Sequence, residues 1–172
     1  MTWAMEDNGK LTFEQVLEKD GKLIYTTVGD SMWPLLRQKK DLVVIIPKPE
    51  GRLKRYDVPL YRRDSDRQAG NGKYVLHRIL RVRKKGYIIC GDNRWALERD
   101  IDDSHIIGVM TAIVRGGLDP AEDHPETIGT SDLRYRIYMH IWCDLFPLRS
   151  FLFWLRDLPR RALRYLRRSF KS

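Results

Sequence analysis

Three residues in this chain have the types and settings that could carry nucleophilic chemistry. Ser31 stands in VGDSMWPLL, residues 28 to 36, with a glycine two positions before it and a proline three after. A serine hydroxyl is a poor nucleophile at its own pKa, so acyl chemistry needs a base within hydrogen-bond reach and donors aimed at the developing oxyanion. His77 stands in KYVLHRILRV, where strand alternation puts Val75, His77 and Ile79 on one face and Leu76, Arg78 and Leu80 on the other. A histidine held on an apolar strand face is partly desolvated, as a general base requires. Asp92, in ICGDNRW, follows the next strand at a Gly-Asp-Asn turn. Two adjacent strands of a hairpin would bring its carboxylate to the His77 ring, fixing the tautomer and stabilising the imidazolium. Each residue also has a plain structural use: Gly-Asp-Ser and Gly-Asp-Asn are ordinary turn chemistry, and strand histidines often satisfy a local hydrogen bond.

The elements that must position these residues are legible as changes of period. LTFEQVLEKDGK carries Leu11, Phe13, Val16 and Leu17 at roughly helical spacing, with Gly21 placed to end the turn. Runs rich in Val, Ile and Tyr follow: KLIYTTV, DLVVIIP, DVPLYRR, KYVLHRILRV, GYIICG and HIIGVMTAIVR. None is followed by a helix-length crossover, which predicts about six strands in a mostly antiparallel, mainly β domain. RDSDRQAGNG reads as a polar hairpin loop, and GGLDPAEDHPETIGT, from Gly116 to Thr130, as a linker. The expected organisation is an N-terminal helix and lead-in over 1–22, a β domain over 23–115, a linker over 116–130 and a helical tail over 131–172. On that division the β domain closes without the tail.

Composition bounds the rest. At 172 residues, with 42% apolar and 32% charged residues, the chain suits one folded domain with a core of its own. Cys90 and Cys143 lack the spacing of a metal or redox pair, which predicts two buried, reduced thiols. The first 22 residues hold no apolar run of the kind that makes a signal peptide or membrane anchor, which predicts a cytoplasmic chain. The net charge of +9 is uneven: residues 131–172 hold ten Arg and Lys against three Asp, a net of +7.

Five ordered motifs, VGDSMWPLL, DLVVIIP, VLHRI, CGDN and IIGVMTAIV, resemble the signal peptidase I and LexA-like serine peptidase superfamily over about residues 23 to 115. The resemblance implies that family's antiparallel β domain and a serine endopeptidase. In the family the Ser of the Ser-Met-x-Pro motif is the nucleophile, which falls on Ser31. The basic partner stands just before an Arg in a strand, here His77, as in the Ser-His branch of the endoplasmic reticulum and archaeal type. That branch also uses the Asp of Gly-Asp-Asn, here Asp92, and has a second acid six residues later, here Glu98. Asp102 and Asp103 are further candidate acids. A position that carries a hydroxyl in bacterial signal peptidases is Gly29 here, as in LexA-like proteins, so the oxyanion hole would rest on the Ser31 backbone N–H and a neighbour. The resemblance implies a peptide or protein substrate bound in extended form, and no metal or organic cofactor. Two other readings remain open: a LexA-like regulator that cuts itself, for which Ala69-Gly70 resembles the severed bond, and a non-enzymatic module that keeps the fold without the chemistry.

The tail adds a partner. Leu155, Leu158, Ala162, Tyr165, Leu166 and Phe170 fall on one helical face, opposite Arg160, Arg161, Arg164, Arg167 and Arg168, with Trp154 nearby. Charges at Asp144, Arg149 and Arg156 interrupt any spanning run. An apolar face with aromatics and a basic opposite face predicts a helix lying on an anionic membrane surface, holding the protein there peripherally; the alternative is that part of the helix packs on the β domain while its arginines are solvated. No RNA-binding motif is present, and no nucleic acid partner is expected.

Overall fold

The computed structural model describes residues 11–63 and 73–169, with side chains up to Leu158. The Ala69-Gly70 pair lies outside the described residues, as do the side chains of Arg160, Arg161, Arg164, Arg167 and Arg168. Helix α1, Phe13–Asp20, begins at a reciprocal cap in which the Thr12 side chain accepts from the Gln15 N–H and the Gln15 side chain accepts from the Thr12 N–H. It ends at Gly21, whose φ of 66° is the left-handed conformation expected of a helix-terminating glycine.

The strands that follow are β1 (Leu23–Tyr25), β2 (Leu42–Pro47), β3 (Pro59–Tyr61), β4 (Val75–Leu76), β5 (Arg78–Arg83), β6 (Gly86–Cys90), β7 (Glu98–Ile101), β8 (Ile106–Arg115) and β9 (Glu126–Gly129). All their pairings are antiparallel, in two sheets. The larger has the order β1-β2-β8-β3-β4, with β9 beside the second half of β8, and the smaller is β5-β6-β7. A mainly antiparallel β architecture with a short N-terminal helix matches the expectation from periodicity. Two helices close the chain, α2 (Leu133–Asp144) and α3 (Phe146–Ser169).

KYVLHRILRV, read as one strand, is divided at His77, where the chain leaves the larger sheet for the smaller. Its alternation sorts the neighbours correctly. Val75 and Ile79 enter the core beneath the smaller sheet with Tyr61, Tyr87 and Ile89, while Leu76 enters the other core with Leu60, Ile45 and Met110. Both cores are built from side chains almost wholly removed from water, which supplies the main driving force for the two-sheet packing.

The segment 116–130 is not merely a linker. Its residues 126–129 form β9, registered from Ala112↔Gly129 to Arg115↔Glu126 along β8. Helix α2 then packs Tyr135 and Cys143 into the protein, so the tail belongs to the fold from its first turn. Both cysteines are buried and free of disulfides. Burial pushes the Cys90 thiol up to about 12 and the Cys143 thiol up to about 11, which leaves them unreactive.

Candidate active site

Ser31 lies in the turn after β1, and His77 lies at the switch between the sheets. Gly29, two residues before the serine, has φ 103°, which a side chain would strain, and its N–H donates to Gln38 Oε1 at 3.0 Å. Both Ser31 and His77 line a cleft of about 300 Å³ that runs between Thr27 to Gly29 on one wall and Lys73 to Leu76 on the other. They meet at Gly91. A Cβ on that glycine would stand 2.7 Å from the Ser31 carbonyl oxygen and 3.0 Å from His77 Nε2, so the missing side chain is what allows the two segments to converge. The Asn93 N–H closes the junction, donating to the Ser31 carbonyl at 2.7 Å. Among the described residues, no hydrogen bond joins the Ser31 hydroxyl to His77, and the Ser31 N–H has no hydrogen-bond acceptor.

The imidazole is 8% exposed, and its Nδ1 lies 2.9 Å from Glu98 Oε1 and 3.3 Å from the Tyr61 hydroxyl. Glu98 is itself gripped by Arg63, with Nε to Oε2 at 2.7 Å and Nη2 to Oε1 at 2.8 Å. Burial alone would raise the Glu98 carboxyl, but hydrogen bonds from Arg63 and His77 outweigh it and hold the group at about 2. A permanently charged acceptor at Nδ1 favours the tautomer that carries its proton there, leaving the Nε2 lone pair directed to the Ser31 side.

Asp92 is placed differently from the expectation. Its carboxylate receives Arg78 Nε at 2.9 Å and Arg78 Nη2 at 2.8 Å, and the Tyr138 hydroxyl donates to it at 2.9 Å. It is engaged there and does not orient His77. Strand register explains the swap. Arg78 pairs with Cys90 across β5 and β6, so Asp92, two residues on, shares the Arg78 face and not the His77 face. Ile79 pairs with Ile89, and Ile89 with Glu98 on β7, which puts Glu98 on the face of Ile79 and His77. Asp102 and Asp103 are engaged elsewhere, the first with Ser104 and His105, the second with Tyr87, Lys48 and Arg52.

Sequence reasoning missed Arg63, which anchors the acid, and the cover that the tail places over Asp92. Trp142 Nε1 donates to the Asp92 carbonyl at 2.8 Å, Arg149 donates to the same oxygen, and Arg156 donates to Asn93 Oδ1 at 3.0 Å. No local pattern marks Arg63; only the pairing of β7 with β6 brings its partner into place. No group of three or more His, Cys, Asp or Glu suited to a metal occurs among the described residues. No family model, curated protein or solved structure matches the chain.

Proposed function

We propose that this protein is a serine endopeptidase whose working residues are Ser31, His77 and Glu98, of the kind its motifs resemble in signal peptidase I and LexA-like proteins. The observation that carries the reading is the convergence at Gly91. A serine turn and a histidine Nε2 approach one point, while the opposite ring nitrogen is held by a half-buried, charged acid. In this reading Ser31 Oγ attacks the scissile carbonyl as His77 Nε2 takes its proton. The Ser31 N–H faces the developing oxyanion. Collapse of the tetrahedral adduct passes that proton to the leaving amine and leaves an ester on Ser31. Water, deprotonated by the same nitrogen, then hydrolyses the ester. Glu98 stabilises the imidazolium in both halves, and Arg63 keeps Glu98 in place.

The cleft favours an extended substrate. β1 and β4 end the pairing order of the larger sheet, and the chain beside each, at Thr27 and Lys73, borders the cleft. The end strands of a sheet can take a further strand by backbone hydrogen bonding. Val28 and Trp33, both exposed next to the serine, offer apolar contacts for side chains flanking the cut.

A fluorophosphonate probe, which acylation-competent serines trap covalently, tests the reading. Wild type is expected to label at Ser31, and Ser31→Ala to lose the label with an unchanged melting temperature. A folded wild type that does not label would favour the non-enzymatic module, and label retained by Ser31→Ala would remove Ser31 as nucleophile.

A further inference from the structure

Helices α2 and α3 have two unlike sides. The inner side carries Tyr135, Tyr138, Trp142 and Arg149 onto the Arg78 and Asp92 pair. The outer side is apolar and open. Leu133, Ile137, Ile141, Leu145, Leu148 and Leu152 follow one another at intervals of three or four residues, and each is more than half exposed. One stripe therefore runs across both helices, whose junction at Leu145 does not interrupt it. Phe151 and Trp154 widen it, their rings stacked at a centroid distance of 6.2 Å. An open apolar surface of this length is unusual for a protein that meets only water.

We propose that this outer face, over residues 133–158, docks the protein onto an anionic lipid bilayer, lying in its interface. The face begins some twenty residues before the amphipathic pattern that the tail sequence suggested, and it includes all of α2. Charge selects the occupant. Residues 131–172 carry a net charge of +7, so two copies joined through this face would bring two strongly basic segments together, whereas an anionic surface attracts them. Aromatic side chains within the stripe suit the interfacial layer, where flat amphipathic rings concentrate. No described helix is long and apolar enough to cross a membrane, so the face lies on the bilayer instead of spanning it. Docking is independent of the peptidase reading. If both hold, the inner side of the same helices ties the Asp92 and Asn93 turn, and through it the Ser31 carbonyl, to a surface-bound element.

The test is cosedimentation of the full chain with vesicles of phosphatidylcholine, with and without phosphatidylglycerol. Binding is expected to need the anionic lipid and to weaken with added salt without vanishing, since the apolar share is not screened. The double variant Ile141→Asp, Leu152→Asp should bind about tenfold more weakly or worse, because each change removes an apolar side chain from the contact. Its melting temperature should match wild type, as both side chains face water in the free protein. Unchanged binding by the variant, or equal binding to vesicles lacking phosphatidylglycerol, overturns the proposal. So does a wild type that ignores both vesicles and sediments as a dimer that the double variant dissociates. Fluorophosphonate labelling of Ser31 reads the peptidase separately, so failure of one does not masquerade as failure of the other.

Discussion

Arg78 and Asp92 form a two-point ion pair in which neither partner reaches water: Arg78 is 0% exposed and Asp92 1%. The guanidinium uses its remaining Nη1 on the Tyr56 carbonyl and the Tyr135 hydroxyl. Burial alone would lower the Arg78 pKa, but the facing Asp92 charge drives it well above its usual value. A pair satisfied this fully is a structural clamp between β5, the turn after β6 and helix α2. His77, the residue next to Arg78, points to the opposite face and to Glu98.

The two acids should therefore separate stability from chemistry. Asp92→Asn leaves Arg78 buried without a charged partner, and breaking a buried pair from one side costs about 3 to 5 kcal/mol. Its melting temperature should fall steeply. Glu98→Gln also gives up an ion pair and some stability, so its mark is kinetic: in protein still folded at the assay temperature kcat should drop about 10²- to 10⁴-fold, since the amide no longer stabilises the imidazolium or enforces the tautomer. Thermal denaturation and steady-state kinetics on both variants check the assignment. Lost activity in a fully stable Asp92→Asn, with Glu98→Gln silent, would return the orienting role to Asp92.

The depressed Glu98 carboxyl makes a pH prediction of definite sign. Its pKa falls from an ordinary 4.5 to about 2 on folding, so its stabilisation is complete above the unfolded value and is lost as pH falls towards 2. That contribution is on the order of 3 kcal/mol. Between pH 4.5 and 2, wild type should lose more stability than Glu98→Gln, as read by chemical denaturation at a series of pH values. Equal acid sensitivity in the two proteins would contradict the ion-pair geometry. Because Glu98 stays charged throughout the neutral range, any fall of activity between pH 8 and 5 must come from another group.

Gly91→Ala addresses the convergence point. The new methyl would press on the Ser31 carbonyl, which is backbone, and on the His77 ring, so one of the two must withdraw. Crowding of this kind costs roughly 1 to 3 kcal/mol of stability. A shift of about 1 Å between nucleophile and base can cost about 10²-fold in rate. Fluorophosphonate labelling kinetics should show that loss in a protein that still melts cooperatively. A variant that labels at the wild-type rate would mean that Ser31 and His77 do not act at this junction.

The sequence showed the strands and the candidate residues through local signals, and lost what depended on register. Helix α1 was legible because its apolar spacing and its terminating Gly21 lie close together in the chain, while its Thr12 cap went unread. KYVLHRILRV announced its burial pattern, yet nothing in it told that the sheets change at His77. β7, ERDI, has too many charges to read as a strand, and so the element that delivers Glu98 was hidden. Parity decided the acid: side chains two apart on one strand, or directly opposite on the next, share a face, which admits Glu98 and excludes Asp92. That argument needs the pairing, and pairing is long-range. The tail's inner aromatics were missed for the same reason, since their partners Arg78 and Asp92 lie dozens of residues upstream.

Those aromatics yield the last prediction. With 116–130 read as a linker, a chain ending at Thr130 is expected to stay folded; the contacts of the tail with Arg78 and Asp92 predict the opposite. Such a chain loses the Tyr135 and Tyr138 hydroxyls that complete the hydrogen bonding of Arg78 and Asp92, and the Trp142 indole N–H on the Asp92 carbonyl. It also opens the core around Tyr135, which is 4% exposed. Uncovering a buried ion pair lets water compete for both charges, and leaving its bonds half made costs more than a neutral bond would. The shortened chain should therefore melt well below the full protein or aggregate on expression. Tyr138→Phe in the full chain gives the graded version, removing one hydrogen bond to a charged acceptor for a loss of about 1.5 to 3 kcal/mol. Denaturant unfolding of both against wild type checks the claim. A Thr130 chain with the wild-type midpoint would show that the tail rests on the β domain without supporting it, and Tyr138→Phe should then be silent as well.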